Sequence, residues 1–308
     1  MNDDACLHEA LFYETVGKDE QNNLALPGTV RCLLCPHRCL IAEGRRGRCR
    51  IRKNEGGRLF AAGYGFVSAL ALDPVEKKPL ARFHPGSYIL SVGQYGCNLS
   101  CLFCQNHEIS QVGIPVPDSG RDRAGVLSPE SLVSSALAAV PRGNIGLAYT
   151  YNEPLTGYEF VCDTAIRIHE VGLKNVLVTN GYINPEPLTE ILPYIDAMNI
   201  DLKSFRDSFY RETCGGGLDP VLDAISVSAR ICHVEIATLI IPGLNSSTAE
   251  IDELSAWIAS VSPEIPLHLN RHHPDFRMQE PVPITREELF SLAEIAKKHL
   301  KYVYTGNI

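Results

Sequence analysis

The stretch Gly96-Cys97-Asn98-Leu99-Ser100-Cys101-Leu102-Phe103-Cys104 decides how this chain is interpreted. Its three cysteines have the spacing C-x3-C-x2-C, and it closely follows the apolar, strand-like run Tyr88-Ile89-Leu90-Ser91-Val92. Three thiolates this close together suit a soft metal centre. They are one fewer than the four that close a [4Fe–4S] cluster, so the spacing indicates a cluster with one iron open to another ligand. On spacing alone, a zinc site with a distant fourth ligand such as a histidine is the alternative.

The bulk composition narrows the function classes. The chain has 308 residues, is 45% hydrophobic and carries a formal net charge of −8. This size predicts one large α/β domain, or such a domain with an appendage. The negative charge argues against sequence-independent nucleic-acid binding, which depends on Lys and Arg contacts to phosphates. The acidic start lacks a signal-peptide core and no apolar run reaches the roughly 18 residues of a membrane span, so we expect a cytoplasmic protein with no membrane partner.

From residue 88 onward, short apolar segments alternate with helix-like ones, which predicts βαβ units and a parallel sheet. The predicted strands are 88–92, 145–150, 175–179, 197–202, 233–241 and 266–269, with a last strand-like run at 302–304. The predicted helices are 129–139, 159–171, 186–194, 221–230, 248–261 and 286–300. The fold class is therefore α/β, with a partial (β/α)6 barrel over residues 61–308. Residues 1–60 are predicted to form a small module with a helix at 5–16, a polar linker at 17–23 and a Cys-rich metal-binding segment.

Polar residues cluster where the predicted strands end, and parallel α/β folds build their sites at the carboxyl ends of strands. The residues concerned are Tyr151-Asn152-Glu153-Pro154, Asn180-Gly181, Asp201, Lys203, His268, Asn270 and Arg271. Some of these residues also have a simpler interpretation. Asp201 and Lys203 can form a solvated salt bridge, His268 can be a hydrogen-bonded core histidine, and Asn180-Gly181 can be only a turn.

A second group of cysteines, Cys32, Cys35, Cys39 and Cys49, places four thiolates within 18 positions. A closed four-thiolate zinc site, which would hold together a module too small for its own core, is favoured here. An auxiliary iron–sulfur cluster is the alternative, because the spacing of soft ligands does not separate the two, and a site without metal also stays open. Seven arginines between residues 31 and 52 form either a solvated face or a docking patch for an acidic partner.

The first cysteine loop also resembles the signature of the radical S-adenosylmethionine (SAM) superfamily, in which an aromatic residue, here Phe103, commonly precedes the last cysteine. Nearly the whole chain is similar to the branch of pyruvate formate-lyase activating enzyme, and most similar to the AmmeMemoRadiSam-associated radical SAM proteins. The matching segments are 76–80, 96–106, 149–154, 178–181, 201–203, 239–245, 268–274 and 302–307, together with the run 32–49.

The resemblance implies a [4Fe–4S] cluster on Cys97, Cys101 and Cys104, with SAM on the open iron. One electron would cleave SAM to a 5′-deoxyadenosyl radical that abstracts hydrogen from a substrate. That substrate would be a glycine of a glycyl-radical enzyme, a small molecule or another protein. The implied partners are an electron donor such as flavodoxin or ferredoxin, and a glycyl-radical enzyme or AmmeMemoRadiSam partner proteins. The competing hypothesis is a non-enzymatic zinc-binding interaction module. It gives no function to the polar residues at the strand ends.

The resemblance also implies roles for individual residues. Asn152 and Glu153 lie where relatives have a Gly-Gly-Glu stretch that holds the SAM amino group, and Lys203 suits the SAM carboxylate. The implied cofactor-binding set is Phe103, Asn152, Glu153, Asn180, Asp201, Lys203, Ile241 beside the adenine, and His268. The candidate catalytic set is Lys203, His268 and Arg271; the resemblance gives Arg271 no role, and we expect it to face an anionic group of the substrate.

Overall fold

The computed structural model describes residues 8–18, 25–114 and 125–308. Its first part is built from short strands: β1 (Tyr13–Lys18), β2 (Ala25–Cys32), β3 (Leu40–Ile41), β4 (Arg52–Glu55), β5 (Arg58–Ala61) and β6 (Phe66–Val67). The first three form an antiparallel sheet, and β4 and β5 form a hairpin. The Cys-rich segment lies on β2, β3 and the loops beside them, so its four cysteines are brought close by strand pairing.

The predicted helix at residues 5–16 is wrong. Residues 1–7 lie outside the described part of the chain, and Tyr13 begins β1, which pairs with β2 in the register Tyr13↔Cys32. Just before β1, the amide of Ala10 donates to the carbonyl of Leu59 at 2.8 Å. These contacts with residues distant in sequence outweigh the local helix propensity, which is only a weak influence. Of the predicted linker at 17–23, residues 17 and 18 belong to β1 and the rest lie outside the described residues.

Eight strands form the main sheet, which positions the candidate site. In chain order they are β7 (Ala69–Pro74), β8 (Tyr88–Gly93), β10 (Asn144–Thr150), β11 (Lys174–Thr179), β12 (Ala197–Asp201), β13 (His233–Ile240), β14 (Leu267–Arg271) and β15 (Val303–Gly306). The short β9 (Gly125–Val126) pairs with β6 instead. From β8 onward the strands are parallel, and each lies beside the next in the chain, whereas β7 is antiparallel to β8 at one edge. The predicted partial barrel is confirmed, with seven parallel strands.

Helices lie between the parallel strands along the chain. They are α1 (His107–Ser110), α2 (Pro129–Ala139), α3 (Tyr158–Glu170), α4 (Pro185–Ile191), α5 (Asp207–Phe209), α6 (Asp219–Ser228), α7 (Thr248–Val261) and α8 (Arg286–Ala296). Three of the longer helices begin at a capping hydroxyl, because Ser128, Ser247 and Thr285 each accept a bond from a backbone amide of the first turn. None of the helices in the described residues has the length and apolar character to cross a membrane.

The N-terminal strands and the barrel share one hydrophobic core. Val30 and Leu59 of the first part belong to the same buried cluster as Leu147 and Leu177 of the main sheet. A boundary at residue 60 therefore stays a prediction, because apolar packing continues across it.

A buried ion pair joins the two parts. Arg52 and Glu159 are each 1% exposed, and Nη2 of Arg52 lies 2.6 Å from Oε1 of Glu159 on α3. The same Arg52 nitrogen donates to the carbonyl of Leu11 at 2.7 Å, and the amide of Leu11 donates to Glu159 at 2.7 Å. Removing one partner of such a pair leaves an uncompensated charge in the interior.

We predict that Arg52→Met lowers the free energy of unfolding by about 3–5 kcal/mol, because Glu159 then stays buried without its cation. Adding Glu159→Met to that variant should recover part of the loss. Anaerobic urea unfolding of the two variants and the wild type measures both effects. A loss below about 1 kcal/mol for the single variant, typical of an exposed ion pair, would contradict this account of the junction.

Candidate active site

A cavity of about 690 Å³ lies at the carboxyl ends of the parallel strands. Thr150, Thr179, Asp201 and Gly306, which end four of those strands, all lie in its wall. The volume is within the roughly 300–1,000 Å³ typical of small-molecule sites. Most of the predicted site residues line it, namely Cys97, Cys101, Phe103, Cys104, Asn152, Glu153, Asn180, Asp201, Lys203 and His268.

The cysteine loop leaves β8 through a glycine that no other residue can replace without strain. Gly96 has φ +82°, and a Cβ built there would lie 2.5 Å from the carbonyl oxygen of Cys49. The loop is then fixed by backbone bonds to the π-helical turn Tyr210–Cys214, since the amide of Ser100 donates to the carbonyl of Cys214 at 2.8 Å and that of Leu102 to Thr213 at 3.1 Å. The three thiols are thereby held at one end of the cavity.

The donor set at this end fits an open iron–sulfur cluster. Among the described residues that line the cavity, Cys97, Cys101 and Cys104 are the only cysteines. Within the same part of the chain, no three His, Cys, Asp or Glu side chains are arranged to hold a single metal ion. Three thiolates are the ligands that a [4Fe–4S] cluster with one open iron uses, whereas a zinc site would need a fourth ligand.

Glu153 is a buried carboxylate in the cavity wall, only 2% exposed. It accepts hydrogen bonds from the hydroxyl of Thr179 at 2.8 Å and from the amides of Asn180 and Leu155 at 2.8 and 3.0 Å. Burial raises the pKa of Glu153 to about 7, although these three donors act in the opposite direction. A positively charged or hydrogen-bond-donating group in the cavity would favour its ionised form.

Two predicted asparagines hold the cysteine loop in place. The side-chain amide of Asn152 donates to the carbonyls of Tyr95 and Gly96 at 3.1 and 3.0 Å. That of Asn180 donates to Oδ1 of Asn98 at 2.9 Å and lies 3.6 Å from Sγ of Cys97. Both residues line the cavity, but their amide groups are engaged with the protein.

Lys203 is a cation in the cavity wall close to Phe103, the residue before Cys104. Its ammonium lies 2.8 Å from Asp201 and 5.9 Å from the centre of the Phe103 ring. Burial disfavours the charged form, but the charge of Asp201 and the neighbouring Cys101 outweigh it, so the pKa of Lys203 lies well above its usual value. The Lys203 side chain is 13% exposed and the Asp201 side chain 40% exposed, so the pair is half-buried in the cavity wall.

His268 also lines the cavity and is oriented by a carboxylate that the sequence did not reveal. Nε2 of His268 lies 2.6 Å from Oε2 of Glu235, and its ring stacks on Tyr304 with 5.2 Å between centres. Glu235 is fully buried and also accepts from His233 and from the amides of Ala81 and Arg82. Burial opposes ionisation, yet these four donors lower the pKa of Glu235 to about 2.

A second cluster that the sequence did not reveal lies on the β7 side of the cavity. Nζ of Lys78 and the hydroxyl of Tyr151 lie 2.8 and 2.7 Å from the same carboxylate, Asp73. Tyr151 has φ +73°, a left-handed conformation that is rare for an aromatic residue. The segments 76–80 and 149–154 carried the family resemblance, but the strand that supplies Asp73 was not predicted.

Two predicted residues do not line the cavity. Ile241 is fully buried in the hydrophobic core. Arg271 donates through Nε to the carbonyl of Ile284 at 2.5 Å and takes no part in the cavity wall.

Comparison with known proteins settles the family. Residues 91–255, just over half of the 308 residues, match the radical SAM superfamily domain. This chain belongs to the radical SAM superfamily. The family membership implies a [4Fe–4S] cluster and SAM as cofactors, and the three-cysteine loop lies inside the matched segment.

Two curated relatives illustrate how this radical SAM chain compares by sequence. It is 41% identical to an uncharacterised protein of Methanocaldococcus jannaschii over 98% of this chain and 86% of that protein. It is 23% identical to the indoleacetate decarboxylase activating enzyme of Tractidigestivibacter scatoligenes, over 78% and 76% of the two chains.

Among solved structures, SuiB of Streptococcus suis bound to S-adenosylmethionine has the same core fold. The TM-score is 0.54 at 16% identity, over 68% of this chain and 48% of SuiB. A radical SAM methyltransferase of Sphaerobacter thermophilus gives the same TM-score at 15% identity, over 72% and 67%.

We predict that the Glu153 carboxyl titrates close to neutral pH in the ligand-free protein, because burial raises its pKa to about 7. Since this value lies above the usual 4.5, the group lowers folding stability as the pH rises from the usual to the raised value. Infrared difference spectra between about pH 6 and pH 8 should show one carboxylic acid band that Glu153→Gln abolishes. The same spectra without such a band in the wild type would contradict the assignment.

Proposed function

We propose that this chain is a radical SAM enzyme whose Cys97, Cys101 and Cys104 hold a [4Fe–4S] cluster, with SAM on the fourth iron. The observation that carries the proposal is the presence of these three thiols and the buried carboxylate of Glu153 in the wall of one cavity. When bound, the cofactors supply one electron and a 5′-deoxyadenosyl radical that abstracts hydrogen from the substrate.

Glu153 would accept a hydrogen bond from the amino group of SAM. Its three existing donors fix the carboxylate just after β10, and burial raises its pKa, so an ammonium group bound beside it would favour the ionised form. A charge-assisted bond of this kind contributes about 1.5–3 kcal/mol. Lys203, which lines the same cavity, would supply a cation for the SAM carboxylate, and Asp201 keeps its ammonium charged.

Asn152 and Asn180 act as positioning residues in this proposal. Their amide groups tie the ends of β10 and β11 to the backbone and side chains of the cysteine loop. They would hold the cysteine loop, and hence the cluster, at a fixed position relative to the Glu153 carboxylate. Ile241 and Arg271 are given no role, because neither reaches the cavity.

The substrate would occupy the part of the cavity away from the cysteines. Candidate polar groups for it in the cavity wall are His268, stacked on Tyr304, and Lys78 and Tyr151, which both contact Asp73. A glycine of a glycyl-radical enzyme is the first candidate, supported by the likeness to the activating enzyme of Tractidigestivibacter scatoligenes. A small molecule or another protein is the alternative, and the association with the AmmeMemoRadiSam group stays a prediction.

The core of the proposal predicts that anaerobically reconstituted, reduced protein converts SAM to 5′-deoxyadenosine and methionine. Cys101→Ala should abolish both products, because it removes one cluster ligand. Glu153→Gln should weaken SAM binding about 10- to 100-fold through loss of one charge-assisted hydrogen bond. Cys232→Ala, at a half-buried cysteine that does not line the cavity, is the matched control and should behave as the wild type.

Liquid chromatography of the products and equilibrium dialysis with labelled SAM measure these effects. Wild-type protein with an intact cluster that forms no 5′-deoxyadenosine would refute the proposal and favour a non-enzymatic interaction module. Activation of a glycyl-radical enzyme from the same cell should add a glycyl-radical signal in electron paramagnetic resonance (EPR). Product formation without that signal would leave the small-molecule or other-protein substrate.

The electron would come from an acidic one-electron carrier such as flavodoxin or ferredoxin. Arg38, Arg45, Arg46 and Arg48 are exposed beside the Cys-rich segment, and none of them forms an ion pair within the described residues. Arg48 donates to the hydroxyl of Ser100 at 3.1 Å, which places this basic patch directly against the cysteine loop. An acidic donor docked there would stand next to the cluster.

We predict that Arg45→Gln combined with Arg46→Gln slows reduction by an acidic flavodoxin several-fold and weakens the dependence of that rate on ionic strength. Lys298→Gln, at an exposed lysine after α8, is the control. Stopped-flow absorbance of the cluster follows the rate. Equal rates for the double variant and the control at low salt would exclude this patch as the docking surface.

A further inference from the structure

The segment after β7 forms the floor of the large cavity, and we call its residues 75–83 the floor segment. Its apolar side chains lie in one buried cluster with four strands of the main sheet; the members are Val75, Leu80, Phe83, Ile89, Ala148, Val176 and Ala197. Ala148 lies two residues before Thr150 of the cavity wall, so both side chains are on the same face of β10. The floor segment therefore covers this face of the sheet next to the cavity, on its amino-terminal side.

Five residues of the floor segment line the cavity, namely Glu76, Lys77, Lys78, Pro79 and Ala81. Buried side chains hold them in place. The amides of Ala81 and Arg82 donate to Glu235 at 2.9 and 2.7 Å. The side-chain amide of Asn199 donates to the carbonyl of Pro79 at 2.9 Å, and both Glu235 and Asn199 are buried. A group bound against this segment would meet a preorganised surface, which reduces the entropy cost of binding.

Two ammonium groups of the floor segment share one carboxylate. Nζ of Lys78 lies 2.8 Å from Oδ2 of Asp73, and Nζ of Lys77 lies 3.5 Å from Oδ1 of the same residue. Glu76 also lines the cavity, but its carboxylate accepts from the amide of Gly86 and lies outside ion-pair distance of both lysines. The two lysines and Asp73 therefore carry one positive charge that has no partner among the described residues.

Lys78 is a buried cation whose hydrogen-bond capacity is only partly used. It is 2% exposed, and an ammonium has three donors, of which Asp73 accepts one. The hydroxyl of Tyr151 is a distant second acceptor at 3.5 Å. Burial lowers the pKa of Lys78, and the charge of Lys77 lowers it further, although Asp73 acts in the opposite direction. An anionic group bound beside this ammonium would favour its charged form.

Tyr151 is held over Lys78 by an unusual backbone conformation. Its ring centre lies 4.6 Å from Nζ of Lys78, and its hydroxyl donates to Asp73 at 2.7 Å. The ring fits because residue 93 is a glycine, where a Cβ would lie 2.9 Å from Cδ2 of Tyr151. The left-handed φ of +73° is costly for an aromatic residue, and such strain is concentrated at ligand-binding and catalytic sites.

We infer that Lys77 and Lys78 bind an anionic group of the substrate, a carboxylate or a phosphate, at the floor of the cavity, with Asp73 and Tyr151 fixing Lys78. The inference rests on the proposed function, because it names a substrate class for the same cavity. It favours a small molecule with a terminal oxyanion over a peptide glycine, whose backbone carries no charge. Arg271, which was expected to face such a group, lies outside the cavity wall.

The test uses the full-length, anaerobically reconstituted protein with saturating SAM, and inorganic phosphate and acetate as probes. Their ³¹P and ¹³C line widths in nuclear magnetic resonance measure binding. The wild type should bind at least one probe saturably, and Lys78→Met should weaken that binding about 10-fold or more, because a charge-assisted hydrogen bond is lost. Lys78→Arg should keep the affinity within about 3-fold, since the cation is retained. Lys298→Gln, at an exposed lysine outside the cavity wall, is the matched control.

The pH dependence of acetate binding separates a charge role from a purely structural one. The titratable groups that face Lys78 are Asp73, Lys77 and Tyr151. Lys78 and Tyr151 lower the pKa of Asp73 to about 2 against the effect of burial, and burial and Asp73 raise the pKa of Tyr151 to about 12. Because Lys78 loses its charge as the pH rises, wild-type affinity should fall at a pH below the usual lysine pKa of about 10.4. Lys78→Arg should show no such fall.

Binding that Lys78→Met weakens and both Lys78→Arg and Lys298→Gln retain supports the inference. No saturable binding by the wild type, or equal binding by the wild type and Lys78→Met, would overturn it. Displacement of both probes by SAM would also overturn it, because the anion site would then belong to the cofactor. If Lys78→Met does not fold, identical pH profiles of the wild type and Lys78→Arg would refute the inference. These measurements need no SAM cleavage, so failure of the proposed function would be seen separately, as absence of 5′-deoxyadenosine.

Discussion

A chain of hydrogen bonds from Glu153 through Asn180 and Asn98 to the cysteine loop is the interaction on which the candidate site depends. Glu153 accepts the amide of Asn180, Asn180 donates to Asn98, and Asn98 donates to the carbonyl of Tyr182 at 2.6 Å. These contacts connect the loops after β8, β10 and β11, which the parallel sheet brings to one edge. The Glu153 carboxylate accepts hydrogen bonds from this network and also lines the cavity. The network therefore fixes the position of the cysteine loop relative to the Glu153 carboxylate.

The barrel could be predicted from sequence because its strands are short, apolar runs that alternate with amphipathic helices. The prediction failed where a distant partner decides the local structure. The sequence predicts a helix over residues 5–16, but Tyr13 pairs with Cys32 in a sheet. The segment 69–74 has no β-branched residue and ends in Pro74, so nothing local marks it as the edge strand that supplies Asp73.

The same reasoning explains which site residues were found. Cysteines, Glu153 and Lys203 follow strand ends in recognisable motifs, whereas Glu235 lies inside a strand and only its four donors show its role. Arg271 ends β14, but its guanidinium reaches the carbonyl of Ile284 and does not line the cavity. Position after a strand therefore selects candidates, and side-chain direction decides among them. The two cysteine sets differ in a related way, since one faces about 690 Å³ of open cavity and the other encloses about 20 Å³.

The central claim is that SAM completes the coordination left open by Cys97, Cys101 and Cys104. Electron–nuclear double resonance on the reduced protein, with SAM carrying ¹⁵N in its amino group, tests it most directly. The account predicts a ¹⁵N hyperfine coupling to the cluster that is lost in Cys101→Ala. A cluster signal that shows no coupling to the labelled nitrogen, with SAM present at saturating concentration, would contradict the claim.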